Sequence, residues 1–327
     1  MGAISEDDLI ARFFAPIAGP GALGLKDDAA CLTPPPGCDL ILTKDALVAG
    51  VHFFADDAPD AIARKALRVN LSDLAAKGAD PLGFLLALAL PVGVETDWIE
   101  AFARGLGEDA ARWNIPLLGG DTVKTPGPAM VSLTALGTAP IGRMVPRTGV
   151  RAGDLIFVSG TIGDSALGLQ VRLGSERFAA VSSGFRIWLL SRYITPEPRL
   201  ALAPVLRKHA SAGMDVSDGL VGDLTKMLKA SGVSAVIRLH EAPLSAAARQ
   251  AISRDPALFE TAMTGGDDYE LLVAAPPQKA KLLQEDARAA GVPLTLIGEA
   301  VAGAGAPRFV GADGAEMSFV RGSFSHF

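Results

Sequence analysis

The chain has 327 residues, 49% of them hydrophobic and 20% charged, the composition of a folded globular protein rather than a disordered one. Its 30 basic and 36 acidic residues leave a net charge of −6, which argues against binding to nucleic acid or to an anionic membrane surface. Any phosphate ligand would therefore need metal ions to mediate its binding. Cys31 and Cys38 are too few for a disulfide framework and are not spaced as C-x-x-C, so a reducing compartment without structural zinc is expected. No signal-peptide pattern opens the chain, and its longest apolar run, from Leu82 to Leu90, is too short to span a bilayer. The expectation is a cytoplasmic protein of about two domains.

In chain order, Ser5 followed by Asp8 predicts a capping box, and Leu9, Ile10, Phe13 and Phe14 give the next helix its apolar face. The stretch Gly19-Pro-Gly-Ala-Leu-Gly-Leu-Lys26 lacks the Gly-Lys-Ser/Thr ending of a Walker loop and reads as an ordinary loop. Asp27-Asp28 and a proline-rich turn lead into a strand over Leu40–Asp45. On that strand Thr43 and Asp45 share a face and Lys44 points the other way. His52 suits a satisfied structural histidine. From Ala58 onward a helix is predicted, with Leu67, Leu71, Leu74 and Gly78 on one buried stripe. Asp73 lies on a neighbouring stripe among small side chains. Alone it suits an exposed or backbone-bonded carboxylate, yet its surroundings leave room for a cation.

A buried strand over Leu82–Leu90 and an amphipathic helix over Glu95–Trp113 follow. Ile115–Thr122 reads as a short apolar strand running into Gly119-Gly120-Asp121, where glycines allow a tight turn or a close approach to a ligand. Met130–Gly137 is a further strand. The Pro-, Gly- and Arg-rich composition of 139–154 marks a boundary between domains 1–148 and 149–327. In the second half, the strand 155–159 enters a Gly-Thr-Ile-Gly turn and a helix whose N-terminus could hold an anion or be purely structural. Helix is expected over 183–210 with a break at Pro196 and Pro198. Asp218 is expected to open a helix carrying Leu220, Leu224 and Leu228. A strand is expected at 234–239, and a glycine turn over Thr264–Asp268 should enter another. A helix at 277–290 and a strand at 294–298 complete an alternating βα pattern. The fold class is α/β with mixed α+β character.

Six places share one device, an Asp beside Gly, Ser, Thr or Ala at the end of an apolar run. They are Asp27/Asp28, Asp45, Asp73, Asp121, Asp215/Asp218 and Asp267/Asp268. Each alone suits a turn or a helix cap. Together, in a chain with only 4 histidines, they point to hard cations bound by oxygen, and Mg²⁺ fits best. No G-x-S-x-G elbow or H-E-x-x-H helix is present, so acyl transfer and zinc hydrolysis are disfavoured. The residues alone reach as far as a Mg²⁺-dependent enzyme that handles phosphates without a Walker loop.

The ordered motifs Asp27-Asp28-Ala-Ala, Thr43-Lys-Asp45, Gly50-Val-His-Phe53, Asn70-Leu-Ser-Asp-Leu-Ala-Ala76, Gly119-Gly-Asp-Thr122, Asp215-Val-Ser-Asp-Gly-Leu220 and Gly265-Gly-Asp-Asp-Tyr-Glu-Leu271 resemble those of the thiamine-monophosphate kinase family. That family lies within the superfamily of aminoimidazole ribonucleotide synthetase and selenophosphate synthetase. The resemblance implies two α/β domains, an N-terminal sheet pairing with its twin in a homodimer, and ATP with several Mg²⁺ ions in a cleft between the halves. It implies direct transfer of the γ-phosphoryl group of ATP to thiamine monophosphate, with Asp73, Asp121 and Arg147 central to the reaction. By the same resemblance Asp28, Thr43, Asp45, Asp73, Asp121, Asp215 and Asp218 would hold metals. Gly120, Asp121, Arg147 and Ser217 would contact ATP, and His52, Asp267 and Phe324 would line the thiamine site.

The chain departs from the family pattern at Lys26 and Lys44, which stand where Gly and Thr are usual, and in the tail Ser323-Phe-Ser-His-Phe327. An ammonium beside a metal ligand would displace or repel one ion, which leaves the number of Mg²⁺ ions open. Alternation along the strand carries Lys44 away from Thr43 and Asp45. Another ATP-dependent enzyme of the superfamily, or a silent relative that binds nucleotide or thiamine diphosphate without turnover, is the competing expectation.

Overall fold

The computed structural model describes residues 5–319 and 322–323 and divides into two compact units, Met1–Leu74 with Ala79–Gly142, and Ala75–Gly78 with Arg143–Phe327. The first unit opens on the predicted capping box: the Ser5 hydroxyl donates to Asp8 Oδ2 at 2.7 Å and accepts the Asp8 N–H at 3.2 Å. A short helix α1 (Glu6–Leu9) continues into a π-turn that buries Phe13 and Phe14. Then come β1 (Cys38–Val48), α2 (Pro59–Ala76), β2 (Asp80–Pro91), α3 (Thr96–Arg112), β3 (Leu117–Thr125) and β4 (Met130–Pro140). The strands form one sheet in the order β1-β4-β2-β3, antiparallel except for the β2–β3 pair.

One face of this sheet carries the core. Ile41 and Leu47 on β1, Phe84, Leu86 and Leu88 on β2, and Val131, Leu133 and Ala135 on β4 are all buried with Leu67, Leu71 and Leu74 of α2. The other face presents Leu40, Leu42, Leu85 and Val123, which are 43%, 63%, 40% and 47% exposed. Helix α2 ends sooner than the stripe through Gly78 predicted. The Gly78 N–H bonds Ala75 O at 3.0 Å, the Ala79 N–H bonds Leu74 O at 2.8 Å, and Gly78 has φ +67°. That is a Schellman ending, so Gly78 is needed for its left-handed backbone and not as a helical contact. The glycine pair before Asp121 likewise makes no turn, because β3 runs straight through it.

The second unit contains β5 (Leu155–Ser159), α4 (Asp164–Arg172), α5 (Ser183–Ile194), α6 (Ala203–His209), β6 (Ala212–Asp215), α7 (Leu220–Ser231), β7 (Ser234–Arg238), α8 (Ala246–Arg254), α9 (Leu258–Thr264), β8 (Leu271–Ala275), α10 (Pro277–Ala289), β9 (Leu294–Val301), β10 (Arg308–Val310) and β11 (Glu316–Met317). Its sheet has the order β11-β10-β7-β9-β5-β8-β6, with β7 and β10 parallel and the other pairs among the described residues antiparallel. The βα alternation of the sequence therefore builds a mixed, mainly antiparallel sheet. Central strands are buried on both faces, as the unbroken apolar run Leu271–Ala275 requires. Ile156, Val158, Leu272 and Ala274 pack beneath α4, α5, α7, α8 and α9. Phe157, Leu271, Val273 and Ala275 pack under α6 and α10. Among the described residues no helix is long and apolar enough to cross a membrane.

Candidate active site

In the first unit, strand alternation turns Thr43 and Asp45 inward toward α2. The Thr43 hydroxyl donates to Asp73 Oδ2 in a short contact. Asp45 is partly buried on the same face. Its burial first, and the nearby charge of Asp73 second, push its carboxyl up to about 6. Lys44 lies on the opposite, exposed face, where its ammonium reaches Thr134 Oγ1 at 3.4 Å. His52 is tied into the turn after β1: its Nδ1 accepts the Val48 N–H at 3.1 Å, and its carbonyl accepts from the buried Lys65 ammonium at 2.9 Å. The expected structural role of its ring is thus met at one nitrogen.

Asp28, Gly120 and Asp121 form a second group. They line a cavity of about 470 Å³ with Asp27 and the apolar side chains of Ile10, Phe14 and Leu118. Strand register places Asp121 beside Ala87, and so on the open face of the sheet, away from Asp45. Strands β1 and β3 are the two edges of a four-stranded sheet. Three strand spacings separate them, about 14 Å. A single copy of the chain therefore does not bring Asp45 and Asp121 to one ion. Gly120 is required by close packing: a Cβ there would stand 1.9 Å from the Leu86 carbonyl oxygen. Lys26 is exposed on the loop that leads into Asp27 and Asp28.

The second unit carries the remaining residues. Asp215 ends β6 and is 7% exposed. The turn after it is stitched to the loop before β8 by three backbone bonds, each of 2.8 Å. The Asp267 N–H donates to Ser217 O, the Tyr269 N–H to Val216 O, and the Val216 N–H to Glu270 O. Helix α7 begins at Leu220, two residues later than Asp218. The Asp218 N–H donates to Asp223 Oδ2 at 2.7 Å, and the Lys226 ammonium bridges the Asp218 and Asp223 carboxylates. Burial pushes Asp223 up despite that lysine and the Asp218 amide. The Arg147 side chain is exposed, and its carbonyl accepts from Ser231 Oγ at 3.3 Å. Phe324, His326 and Phe327 lie outside the described residues.

Sequence reasoning grouped Asp267 with Asp268, and the structure separates them. Asp267 is partly exposed, with φ +72°, and the Tyr269 hydroxyl reaches its Oδ1 at 3.3 Å. Asp268 is buried and accepts the N–H groups of Gly163 at 2.6 Å and Ser165 at 3.1 Å. The group that takes the backbone donors at the amino end of α4 is therefore one of the chain's own carboxyl groups. Burial holds Asp268 well above the usual carboxylate range in spite of those two donors. Glu270, Arg192, Arg199 and Lys226 were not singled out from sequence. Glu270 and its two arginines lie on distant segments, and only Lys226, three residues after Asp223 on α7, could have been found by helical spacing.

The donors in both units are oxygens, which suits a hard divalent cation. The desolvated Asp45 beside Asp73 is a place where added positive charge would be favourable. Among the described residues no three His, Cys, Asp or Glu side chains form a cage for a metal. Mg²⁺ needs none, since it is usually held by one or two carboxylates with waters and substrate phosphates.

The chain matches the family models for the N-terminal domain of AIR synthase related proteins over residues 26–139 and for their C-terminal domain over residues 151–309. Fold and acidic site together define a two-domain protein of the AIR synthase-related class. It is 48% identical over 306 residues to the thiamine-monophosphate kinase of Caulobacter vibrioides, a match spanning 92% of this chain and 85% of that one. The chain belongs to the thiamine-monophosphate kinase family. A crystal structure of the thiamine-monophosphate kinase from Stenotrophomonas maltophilia K279a is 39% identical, with 90% of this chain and 91% of that chain covered at a TM-score of 0.80. AaThiL complexed with AMPPCP and TMP is 30% identical and covers 100% of both chains at a TM-score of 0.77.

Proposed function

We propose that this chain is a kinase that phosphorylates thiamine monophosphate with ATP, giving thiamine diphosphate and ADP. Family membership at 48% identity supports the reaction. The observation that carries it to the level of atoms is the inward-facing Thr43, Asp45 and Asp73 on β1 and α2, an oxygen-only site short of positive charge. The bond between the γ-phosphorus and its bridging oxygen breaks as a phosphate oxygen of thiamine monophosphate bonds to that phosphorus in line. The acceptor is already ionised, so no strong general base is required.

Asp28, Thr43, Asp45, Asp73 and Asp121 of the first unit, with Asp215 and Asp218 of the second, would hold Mg²⁺. Bound Mg²⁺ would supply charge neutralisation for the two phosphate groups. Gly120 offers backbone that a nucleotide can approach without meeting a side chain. Arg147 presents an exposed guanidinium to phosphate oxygens, and Ser217 a hydroxyl. His52, Asp267 and Phe324 would line the thiamine site, where a carboxylate favours the cationic thiazolium and an aromatic ring can stack on it. Residues 1–148 form the metal- and ATP-binding domain in this reading, and residues 149–327 complete the site.

The reading includes a homodimer formed through the first unit. Support comes from the exposed Leu40, Leu42, Leu85 and Val123 on one sheet face, a cluster that single soluble domains seldom leave open to water. Support also comes from the placement of β1 and β3 at opposite edges of the sheet, since a second copy can unite ligands that one chain holds apart. The two free thiols fit a reducing, cytoplasmic setting.

The test is ADP release from the purified protein with ATP, Mg²⁺ and thiamine monophosphate, with the thiamine product identified by chromatography. One thiamine diphosphate per ADP is expected, and Asp73→Asn or Asp121→Asn should lower kcat by at least about 100-fold. Nucleotide binding with no thiamine diphosphate formed would reject the kinase in favour of a silent binding protein.

A further inference from the structure

The run Asp267-Asp268-Tyr269-Glu270 alternates in burial. Asp267 and Tyr269 are partly exposed, whereas Asp268 and Glu270 are 3% and 0% exposed. Both buried side chains are fully engaged. Asp268 takes two backbone donors at the amino end of α4. Glu270 accepts from the Ser159 hydroxyl at 2.6 Å, from Arg199 Nε at 2.7 Å, from Arg199 Nη2 in a shorter contact, and from Arg192 Nη2 at 3.2 Å. Ser159 in turn accepts the Leu271 N–H at 2.8 Å, so the end of β5 is fastened to the start of β8. Space for this carboxylate exists because residue 160 is glycine: a Cβ there would lie 2.2 Å from Glu270 Oε1.

An ion pair this deep is a poor source of stability, because the cost of desolvating both partners offsets their attraction. Its geometry supplies something else. The segment it anchors holds two non-glycine residues in the left-handed region, Asp267 at φ +72° and Tyr269 at φ +51°. Such backbone persists only where its surroundings over-determine it. Around the two anchors, three backbone bonds join Asp267, Tyr269 and Glu270 to Val216 and Ser217.

We propose that Asp268 and Glu270, with Arg192 and Arg199, are positioning residues that fix the loop 265–269 in register with the turn 215–218 and so set where Asp267 stands for its substrate. The proposal rests on the kinase reading for its functional consequence, and on the second unit alone for its geometry. Arg199→Lys keeps the charge but loses the two-pronged grip on Glu270. Glu270→Gln keeps the shape but strands two guanidinium groups. Arg192→Lys, which removes only the 3.2 Å contact, serves if either of those fails to fold.

The experiment combines steady-state kinetics with amide hydrogen exchange, both run well below each variant's unfolding temperature. In Arg199→Lys the amides of Val216, Asp267 and Tyr269 should exchange at least about tenfold faster, while those of β8 stay protected. kcat/KM for thiamine monophosphate should fall between about 10- and 100-fold, the loss typical of a misplaced binding group. A variant with a lower melting temperature but unchanged exchange at those amides and unchanged kinetics would overturn the proposal. So would faster exchange with unchanged kinetics. If the unmutated protein forms no thiamine diphosphate, the kinase reading fails, and the exchange result still decides whether the clamp holds the loop.

Discussion

Thr43 on β1 donates its hydroxyl proton to Asp73 on α2, and Asp45 shares the same inward face two residues along the strand. A helix carboxylate and a strand carboxylate thus repel one another in a desolvated place. The folded chain binds the Asp45 proton more tightly than the unfolded chain does, with a pKa of about 6 against 3.8. Between those values the folded state holds more protons, so the stability of the metal-free protein should fall as pH rises from about 4 to 6. The loss is on the order of 3 kcal/mol. In urea titrations Asp45→Asn should remove most of this dependence and exceed the parent in stability above pH 6. Mg²⁺ should raise the melting temperature above pH 6 and have little effect near pH 4. Equal stabilisation by Mg²⁺ at both pH values would disconnect Asp45 from metal binding.

Lys44 stands on the outward face, against Thr134. Lys44→Thr should therefore leave the Mg²⁺ concentration for half-maximal activity within about twofold of the parent, because the Lys44 ammonium points away from Asp45 and Asp73. A large gain in Mg²⁺ affinity would mean that the ammonium does reach the cation site.

Asp109 on α3 is 1% exposed and accepts from Arg68 Nε at 2.6 Å, Arg68 Nη2 at 3.0 Å and Arg64 Nη1 at 2.9 Å. Arg68 also lies over the Trp113 ring at 5.0 Å. Asp109→Ala would remove these three charge-assisted bonds from the Arg64 and Arg68 guanidinium groups, so unfolding in urea should show a loss of about 3–5 kcal/mol. kcat of the molecules that remain folded should be unchanged. A loss below 1 kcal/mol would show that the guanidinium escapes to water.

Gly120→Ala sets a methyl group against the Leu86 carbonyl on the neighbouring strand. Separating β2 from β3 to admit it should cost about 1–3 kcal/mol and raise the KM for ATP. Gly119→Ala is the control. Its added carbon meets only Leu85 Cδ2, at an ordinary 3.5 Å.

Features governed by short-range periodicity could be read directly from the sequence. Alternation placed Thr43, Lys44 and Asp45 on their proper faces, and the Ser5–Asp8 spacing gave the first cap. Gly78 was misread because a glycine in the last turn of a helix and one just past it differ only in φ. Gly119 and Gly120 were open to two readings, and only the neighbouring strand decides between them. Strand pairing was hidden for the same reason: the βα alternation is compatible with parallel or antiparallel neighbours, and the partner lies far along the chain. The turn at 160–165 was legible as an anion site, but not as one satisfied from within by Asp268. The pairing of Glu270 with Arg192 and Arg199 joins segments about seventy residues apart and leaves no local trace.

The register of β5 bears on how the protein is made. Leu155 pairs with Ala275 on one side and Glu299 on the other, so the centre of the larger sheet is synthesised early and covered last. At ordinary ribosomal speeds the strand waits roughly ten to thirty seconds for both neighbours to emerge. Until β8 emerges, Ile156, Phe157 and Val158, each 0% exposed in the finished protein, have no native strand to lie against. The sheet of the second unit thus cannot pair across its centre until β8 and β9 have emerged, and its yield in a cell depends on how well the nascent chain is shielded while it waits.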